Sequence, residues 1–141
     1  MSAPAAPAHP RHDELVALAR EAMARAYAPY SRFRVGAALL TADGAVVTGC
    51  NVENAAYPSG ICAERGAVAA AVAQGRRDFA LLVLATEGAE PAPPCGMCRQ
   101  VLVEFAPALP IVSVTADGRA ERWSMAELLP RPFTPAWLAG D

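Results

Sequence analysis

The sequence has no long hydrophobic run. Its longest stretch without a charged residue covers twelve residues, from Phe105 to Ala116, and is interrupted by Pro107 and Pro110. A membrane-spanning helix needs about 20 consecutive apolar residues, so this stretch is too short to cross a bilayer. The first ten residues also lack the apolar core of a secretory signal. We therefore expect a cytoplasmic protein with no membrane partner.

Lysine is absent from the sequence. All twelve basic residues are arginines scattered along the chain, and only Arg76 and Arg77 are adjacent. The net charge is −2 and the pI is about 5.7. Proteins that bind nucleic acid usually carry a basic stripe and a high pI. The charge distribution therefore argues against nucleic acid as a partner.

Histidine and cysteine are few, and their positions are informative. Both histidines lie within residues 1–12, a segment rich in proline and alanine that we predict to be a disordered tail. In a small secreted chain, an even number of cysteines would indicate a disulfide framework. One cysteine followed by a C-x-x-C motif, in a chain without an export signal, instead favours metal or redox chemistry. The four cysteines are Cys50, Cys62, Cys95 and Cys98.

The length of 141 residues is that of one domain, which we place at residues 13–141. The order of the predicted elements indicates an α/β fold, with one mixed five-stranded sheet between helices in a three-layer α/β/α domain. Residue patterns predict helices at 13–27, 62–74, 95–105, 125–129 and 135–138, and strands at 34–41, 46–51, 81–86, 111–115 and 120–123.

Short sequence signals mark the ends of several elements. Asp13 is a candidate N-cap for the first helix, and Pro29 is expected to stop that helix. The Asp-Gly pairs at 43–44 and 117–118 each favour a tight hairpin turn between two strands.

Three cysteines are candidate metal ligands. Cys95 and Cys98 are spaced i and i+3 at a predicted helix start, so their sulfurs should face the same way. Cys62, at another helix start, would supply a third sulfur. Three protein ligands leave one position open on tetrahedral zinc, which is typical of a catalytic site. The positive ends of both helices would favour the thiolate form of these ligands.

Two residues beside Cys62 are candidates for the accompanying chemistry. Glu64 would carry protons between a zinc-activated water and the substrate. Inside a regular helix its two-residue offset from Cys62 would point it away from the sulfur, but in a frayed first turn both side chains can reach one cavity. Arg65 would donate hydrogen bonds to the sulfurs and offset the formal charge of −1 on zinc with three thiolates.

Each of these residues also has an ordinary structural interpretation. A lone cysteine is usually a small buried hydrophobe, and this is our expectation for Cys50. A C-x-x-C motif can be half of a structural zinc site or a redox pair. Glu64 can be a solvated helix residue with Arg65 as its salt-bridge neighbour. The combination of C-x-E-R with P-C-x-x-C about thirty residues later is more specific than any single residue.

At these motifs the sequence resembles the short cytidine deaminases of pyrimidine salvage, whose parent zinc-deaminase pattern has a glutamate acid/base and P-C-x-x-C. Gly66, where the family usually has a larger residue such as threonine, and the Ala/Pro-rich tail are small departures. The resemblance extends over nearly the whole chain beyond the tail, in blocks at 26–38, 51–58, 62–65, 94–100 and 128–133.

The resemblance implies a set of substrate contacts. Asn51 and Glu53, which share one side of an extended segment, would hydrogen-bond the ribose, chiefly its 3′-hydroxyl. Phe33 would pack against the pyrimidine, and the backbone around Ala63 would hold the edge of the base. Tyr57 belongs to the same nucleoside-binding block. Without the resemblance, Asn51 and Glu53 would be interpreted as ordinary polar residues at the end of a strand, and Phe33 as a core residue.

The resemblance also implies an assembly. Family members of this length are usually homotetramers with shared active sites, so Phe133 would reach the site of a neighbouring subunit. Composition alone would favour the docking of this apolar chain end on its own core. The implied pocket admits a small-molecule nucleoside more easily than a polymer.

The expected function is zinc-dependent hydrolytic deamination of cytidine and 2′-deoxycytidine, with one zinc per chain. Water activated by zinc would attack C4 of the cytosine ring, while Glu64 protonates N3 and then the leaving ammonia. One rival is a cytosine deaminase of nucleic acid, which would need basic and aromatic platforms for a strand. The others are a deaminase of a cytosine-containing nucleoside antibiotic and a non-catalytic zinc-binding module.

Overall fold

The computed structural model describes residues 8–139. Its strands are β1 (Val35–Thr41), β2 (Val46–Cys50), β3 (Phe79–Thr86), β4 (Pro110–Thr115) and β5 (Ala120–Ser124). They form a five-stranded sheet in the order β2-β1-β3-β4-β5. The pair β3–β4 is parallel and the other three pairs are antiparallel. The predicted mixed five-stranded sheet is therefore confirmed.

Helices cover both faces of this sheet. The helices are α1 (His12–Ala24), α2 (Ala63–Ala73), α3 (Gly96–Phe105), α4 (Met125–Leu128) and α5 (Pro135–Ala139). A 3₁₀ turn at Tyr57–Ser59, which the sequence patterns do not predict, precedes α2. The longest of these helices has thirteen residues, and no helix between residues 8 and 139 is long and apolar enough to span a bilayer.

The alternation of side chains along β1 explains the three layers. Ala37 and Leu39 belong to the core that β1 shares with α2 and α3, whereas Ala38 and Leu40 belong to the core shared with α1. Successive side chains of a strand point to opposite faces of the sheet. A strand that is apolar at nearly every position therefore needs helices on both sides, and the predicted α/β/α arrangement is confirmed.

The two predicted hairpin turns are present. Gly44 and Gly118 have φ angles of +89° and +91°, a left-handed conformation that glycine adopts without steric cost. Each turn joins an antiparallel pair, β1 to β2 and β4 to β5.

Two predictions for the first helix are wrong. The N-cap of α1 is Arg11, which makes no capping hydrogen bond, and Asp13 lies within the first turn. The helix ends at Ala24, well before Pro29, because Tyr27 pairs with Val52 in an isolated β-bridge.

The predicted disordered tail falls partly within the structure. Residues 1–7 lie outside the described residues, and residue 12 already belongs to α1. The side chain of Arg11 forms an ion pair with Glu14 at 2.7 Å and donates to the carbonyl of Gly44 at 2.5 Å.

Two glycines allow helices to approach the sheet at backbone distance. A Cβ atom at Gly49, in β2, would lie 2.4 Å from the carbonyl oxygen of Ala63 and 2.6 Å from the nitrogen of Ala67. A Cβ atom at Gly36, in β1, would lie 1.9 Å from the carbonyl oxygen of Ala19 on the other face. Gly49 therefore lets the first turn of α2 lie directly against β2.

Candidate active site

Three sulfur atoms meet where α2 and α3 begin. Cys62 is the N-cap of α2, Cys95 is the N-cap of α3, and Cys98 lies in the first turn of α3. The Sγ atom of Cys95 lies 3.7 Å from that of Cys62 and 3.3 Å from that of Cys98. All three sulfurs lie within 4.8 Å of one another. The structure thus brings together the three ligands that the sequence spacing predicts.

The donor set fits zinc. Zinc–sulfur bonds of about 2.3 Å in a tetrahedral site place neighbouring sulfurs about 3.8 Å apart, which is close to the two distances found here. These cysteines are free thiols. In the part of the chain that the structure describes, the group contains no fourth ligand from a histidine, a cysteine or a carboxylate. Three protein ligands leave a coordination position for water or substrate.

The surroundings of Cys62 favour its thiolate. Its pKa is lowered to about 5, mainly by a hydrogen bond from the thiol of Cys98, with further lowering by Cys95 and by the positive charge of Arg65. The pKa of Cys98 is raised, because its thiol hydrogen-bonds with Cys62 and because it is buried. The N-terminal ends of α2 and α3 add positive partial charge at the sulfur cluster.

Glu64 is a buried carboxylic acid beside the sulfurs. Its side chain lies in the first turn of α2, only 5% exposed, and lines the same cavity as Cys62. Burial raises its pKa above the usual range for a glutamate. Cys62 has extended backbone angles, φ −77° and ψ 156°, so it stands outside the helical register. This explains how residues two positions apart reach one cavity.

Arg65 lies next to the cluster. One of its guanidinium nitrogens donates to the carbonyl of Gly60 at 3.2 Å. Its buried Nε atom has no hydrogen-bond partner among residues 8–139. The positive charge also contributes to the lowered pKa of Cys62. The charge of Arg65 thus lies close enough to act on Cys62, and its role beside a bound metal stays a prediction.

A cavity of about 590 Å³ opens in front of the sulfurs and Glu64. A pocket of this size suits a small molecule. It includes every predicted substrate-binding residue except Phe133. The predicted residues on its wall are Phe33, Asn51, Glu53, Tyr57, Ala63, Glu64, Arg65, Cys62 and Cys95.

Asn51 holds the segment that carries Phe33. Its Nδ2 atom donates to the carbonyl of Phe33 at 2.8 Å, and its Oδ1 atom accepts from the backbone of Val35 at 2.9 Å. The Asn51 side chain therefore fixes the cavity wall on which Phe33 lies.

Glu53 fixes the turn just before Phe33. Its carboxylate accepts from the backbone nitrogens of Tyr30 and Ser31, at 2.9 and 3.0 Å, and from the Ser31 hydroxyl. The hydrogen bond from the Ser31 hydroxyl is the main reason that the pKa of Glu53 is lowered. The turn includes Arg32 at φ +57°, an uncommon conformation for a residue with a side chain.

Phe133 is not on the cavity wall. Its side chain is 57% exposed, and its carbonyl oxygen accepts from Nε2 of Gln100 at 2.8 Å. A single chain therefore leaves this residue apart from the other predicted substrate contacts.

Several cavity residues carry no recognisable sequence signal. Leu84 and Thr86 reach the cavity from the end of β3, and Ile61 and Met97 flank the sulfurs. Within an apolar strand, a cavity residue has the same pattern as a core residue. The position of Thr86, at the end of the strand, is the one feature that could have indicated a role.

Comparisons with known proteins agree with this geometry. Residues 9–114 match the model of the cytidine and deoxycytidylate deaminase zinc-binding region. A cytidine deaminase of Sporosarcina psychrophila is 43% identical over 123 residues, which cover 86% of this chain and 90% of the relative. The chain belongs to the cytidine and deoxycytidylate deaminase family.

One solved structure and one more distant relative are also similar to this chain. A cytidine deaminase structure from Burkholderia pseudomallei has a TM-score of 0.84 and 46% identity, covering 86% of this chain and 98% of that one. A blasticidin-S deaminase of Bacillus cereus is 29% identical over 129 residues, covering 86% of this chain and 91% of the relative.

Proposed function

We propose that this protein is a zinc-dependent hydrolytic deaminase of cytidine and 2′-deoxycytidine. It converts them, with one water, to uridine or 2′-deoxyuridine and ammonia. The observation that carries this proposal is the buried carboxyl of Glu64, which shares one cavity with Cys62 and Cys95, two members of a cluster of three sulfurs. A non-catalytic zinc module would have no use for such a buried acid, which is costly to ionise.

The residues Cys62, Cys95 and Cys98 would hold one zinc ion per chain. When bound, zinc supplies a Lewis acid that makes a coordinated water acidic near neutral pH. The three sulfurs would be deprotonated in this state, and the guanidinium of Arg65 would balance their charge.

Glu64 handles the protons of the reaction. Its carboxylate accepts a proton from the attacking water, and its burial, which raises its pKa, favours this step. It then donates to N3 of the ring as the new bond to C4 forms. It then takes the proton of the new C4 hydroxyl and gives it to the exocyclic nitrogen, so that the C4–N bond breaks, the C4 carbonyl forms and ammonia leaves.

The outer part of the cavity would bind the sugar. Glu53 and Asn51 hydrogen-bond to the backbone near Phe33, but carboxylate and amide groups retain capacity for a further hydrogen bond. That capacity suits the 3′-hydroxyl of ribose. Phe33 and Tyr57 supply aromatic surface to the nucleoside, and the backbone at Ala63 holds the edge of the base.

The end of the chain supports an assembly with shared sites. Phe133, Trp137 and Leu138 are 57%, 72% and 79% exposed in the single chain. Exposed apolar side chains of this size favour burial against a partner. We propose a homotetramer in which Phe133 closes the site of a neighbour, and a cytoplasmic role in pyrimidine salvage.

A panel of substrates tests this function. The zinc-loaded protein should release ammonia from cytidine and 2′-deoxycytidine, and blasticidin S should compete poorly as a substrate. Preferred turnover of blasticidin S would favour the antibiotic deaminase. Deamination of single-stranded DNA, with none of cytidine, would favour the nucleic-acid enzyme.

A further inference from the structure

Thr86 carries a buried hydroxyl group that lacks a partner. The residue is 1% exposed, and its Oγ1 atom makes no hydrogen bond within the described part of the chain. An unpaired buried hydroxyl costs free energy, and most buried polar groups in folded proteins are paired. An exception of this kind needs an explanation.

The other buried threonines of the sheet do not share this feature. The hydroxyl of Thr41 bonds with Asp43, and the hydroxyl of Thr115 bonds with Asp117. Each of these threonines ends a strand, as Thr86 does. A free hydroxyl is therefore not a general property of this position in a strand.

Thr86 lies on the wall of the active-site cavity. It follows Leu84 by two residues in β3, so both side chains are on the same face of the sheet, and both line the cavity. Ser113 also has a buried hydroxyl without a partner in the described chain, but it is absent from the cavity wall. Of these two residues, only Thr86 lies on the wall where a ligand would bind.

Depth within the cavity indicates which part of a nucleoside would be met. Thr86 and Glu64 are 1% and 5% exposed, whereas Phe33 and Tyr57 are 38% and 75% exposed. If the proposed function is right, C4 of the pyrimidine must reach Glu64 and the sulfurs. The base therefore occupies the buried end, and the ribose stays near the open end.

Resting on that proposed function, we propose that the Thr86 hydroxyl hydrogen-bonds the pyrimidine ring of the bound nucleoside. The hydroxyl has no protein partner within residues 8–139 and gains one when substrate enters. It acts as a binding and specificity residue for the base, and takes no part in proton transfer.

The test uses Thr86→Val, which has nearly the same shape without the hydroxyl, and Thr86→Ser, which keeps it. Thr86→Val should raise KM for cytidine and Kd for uridine, the product, about tenfold, the size of one neutral hydrogen bond. Its kcat should change by no more than about twofold, since the group does not act on protons. Its thermal midpoint should stay level or rise, because an unpaired buried hydroxyl has been removed.

Two comparisons sharpen the result. Thr86→Ser should restore KM and Kd toward the wild-type values. The control Ser113→Ala removes the other unpaired hydroxyl and should leave KM and Kd unchanged. Because the contact is with the base, Thr86→Val should weaken the binding of cytidine and of 2′-deoxycytidine equally.

An unchanged KM and Kd in Thr86→Val would overturn the inference, as would an effect confined to cytidine. An equal rise of KM and Kd in Ser113→Ala would also overturn it, because the effect would then come from a change in core packing and not from a contact with the base. If wild-type protein binds uridine but releases no ammonia from cytidine, the proposed function fails, while uridine binding by Thr86→Val still tests the Thr86 contact.

Discussion

The Sγ atoms of Cys62 and Cys95 lie 3.7 Å apart, although 33 positions separate the two residues in the sequence. Each cysteine is the N-cap residue of a helix on the same face of the sheet. An N-cap residue has extended backbone angles, so its side chain projects from the helix end. The fold therefore places two helix ends together, and the sulfurs occupy the point where both positive ends converge.

Removal of one ligand tests the metal assignment. Cys98→Ala should lose zinc and activity together, since two sulfurs and water bind zinc much less tightly. Metal analysis of the purified protein measures the loss. Cys50→Ala is the matched control, because Cys50 lies in β2 and outside the sulfur cluster, and it should keep zinc. Full zinc occupancy in Cys98→Ala would contradict the assignment.

The close approach at Gly49 should matter for the site as well as for stability. In Gly49→Ala the new methyl group would push on the first turn of α2, and overpacking of this kind costs about 1–3 kcal/mol. Because that turn carries Glu64 and follows Cys62, zinc affinity and kcat should fall too.

The control for this prediction is Gly36→Ala, which creates a comparable clash with α1 on the opposite face. It should lower the thermal midpoint, while the folded fraction keeps its zinc affinity and kcat. Equal loss of kcat in both folded variants would show that the position of α2 is not the cause.

Glu53 should stabilise the turn at Tyr30–Phe33 in a pH-dependent way. Its pKa is lowered in the folded protein from 4.5, mainly through the Ser31 hydroxyl. A lowered folded pKa contributes stability above the unfolded pKa, and this contribution is lost as pH falls through the folded pKa. Wild type should therefore exceed Glu53→Gln in free energy of unfolding at neutral pH, and the difference should shrink below pH 4.5.

Denaturant unfolding at several pH values measures this difference. Glu53→Gln should also raise KM for cytidine several-fold, because the segment carrying Phe33 is less well fixed. A stability difference that stays constant from neutral to acid pH would argue against a role for the Glu53 charge.

Phe133 tests the shared site. Phe133→Ala should raise KM or lower turnover for cytidine while zinc content stays normal, and dissociated protomers should be inactive. Sedimentation at a series of protein concentrations, with activity measured on the same samples, provides the readout. A fully active monomer would rule the shared site out.

Much of the architecture follows from local sequence signals. The Asp-Gly pairs predict both hairpins because a tight turn requires positive φ at the glycine. The order of the predicted elements predicts a sheet covered on both faces, and the nearly continuous apolar run of β1 agrees with it. The end of α1 is missed because a long-range bridge between Tyr27 and Val52 decides it, and local propensity carries no information about that pairing.

The site is predictable only in part, because contacts between residues distant in the sequence leave no local sequence signal. Cys62, Glu64 and Cys95 stand in spaced motifs whose chemistry is recognisable. Thr86 is hidden because a buried cavity residue and a buried core residue look alike in sequence. The contacts of Glu53 with the turn at residues 30–31 arise from tertiary folding.

The central claim is that Glu64 drives the hydrolysis of cytidine at a zinc site of three sulfurs. The most direct test is ammonia release from cytidine by wild type and Glu64→Gln at matched zinc content. Wild type should release one ammonia for each uridine formed. The variant should keep its zinc and fold while losing about 10²–10⁴ in turnover, or more if several proton transfers depend on Glu64. No ammonia from the zinc-loaded wild type, or near-normal turnover by the zinc-loaded variant, would contradict the account.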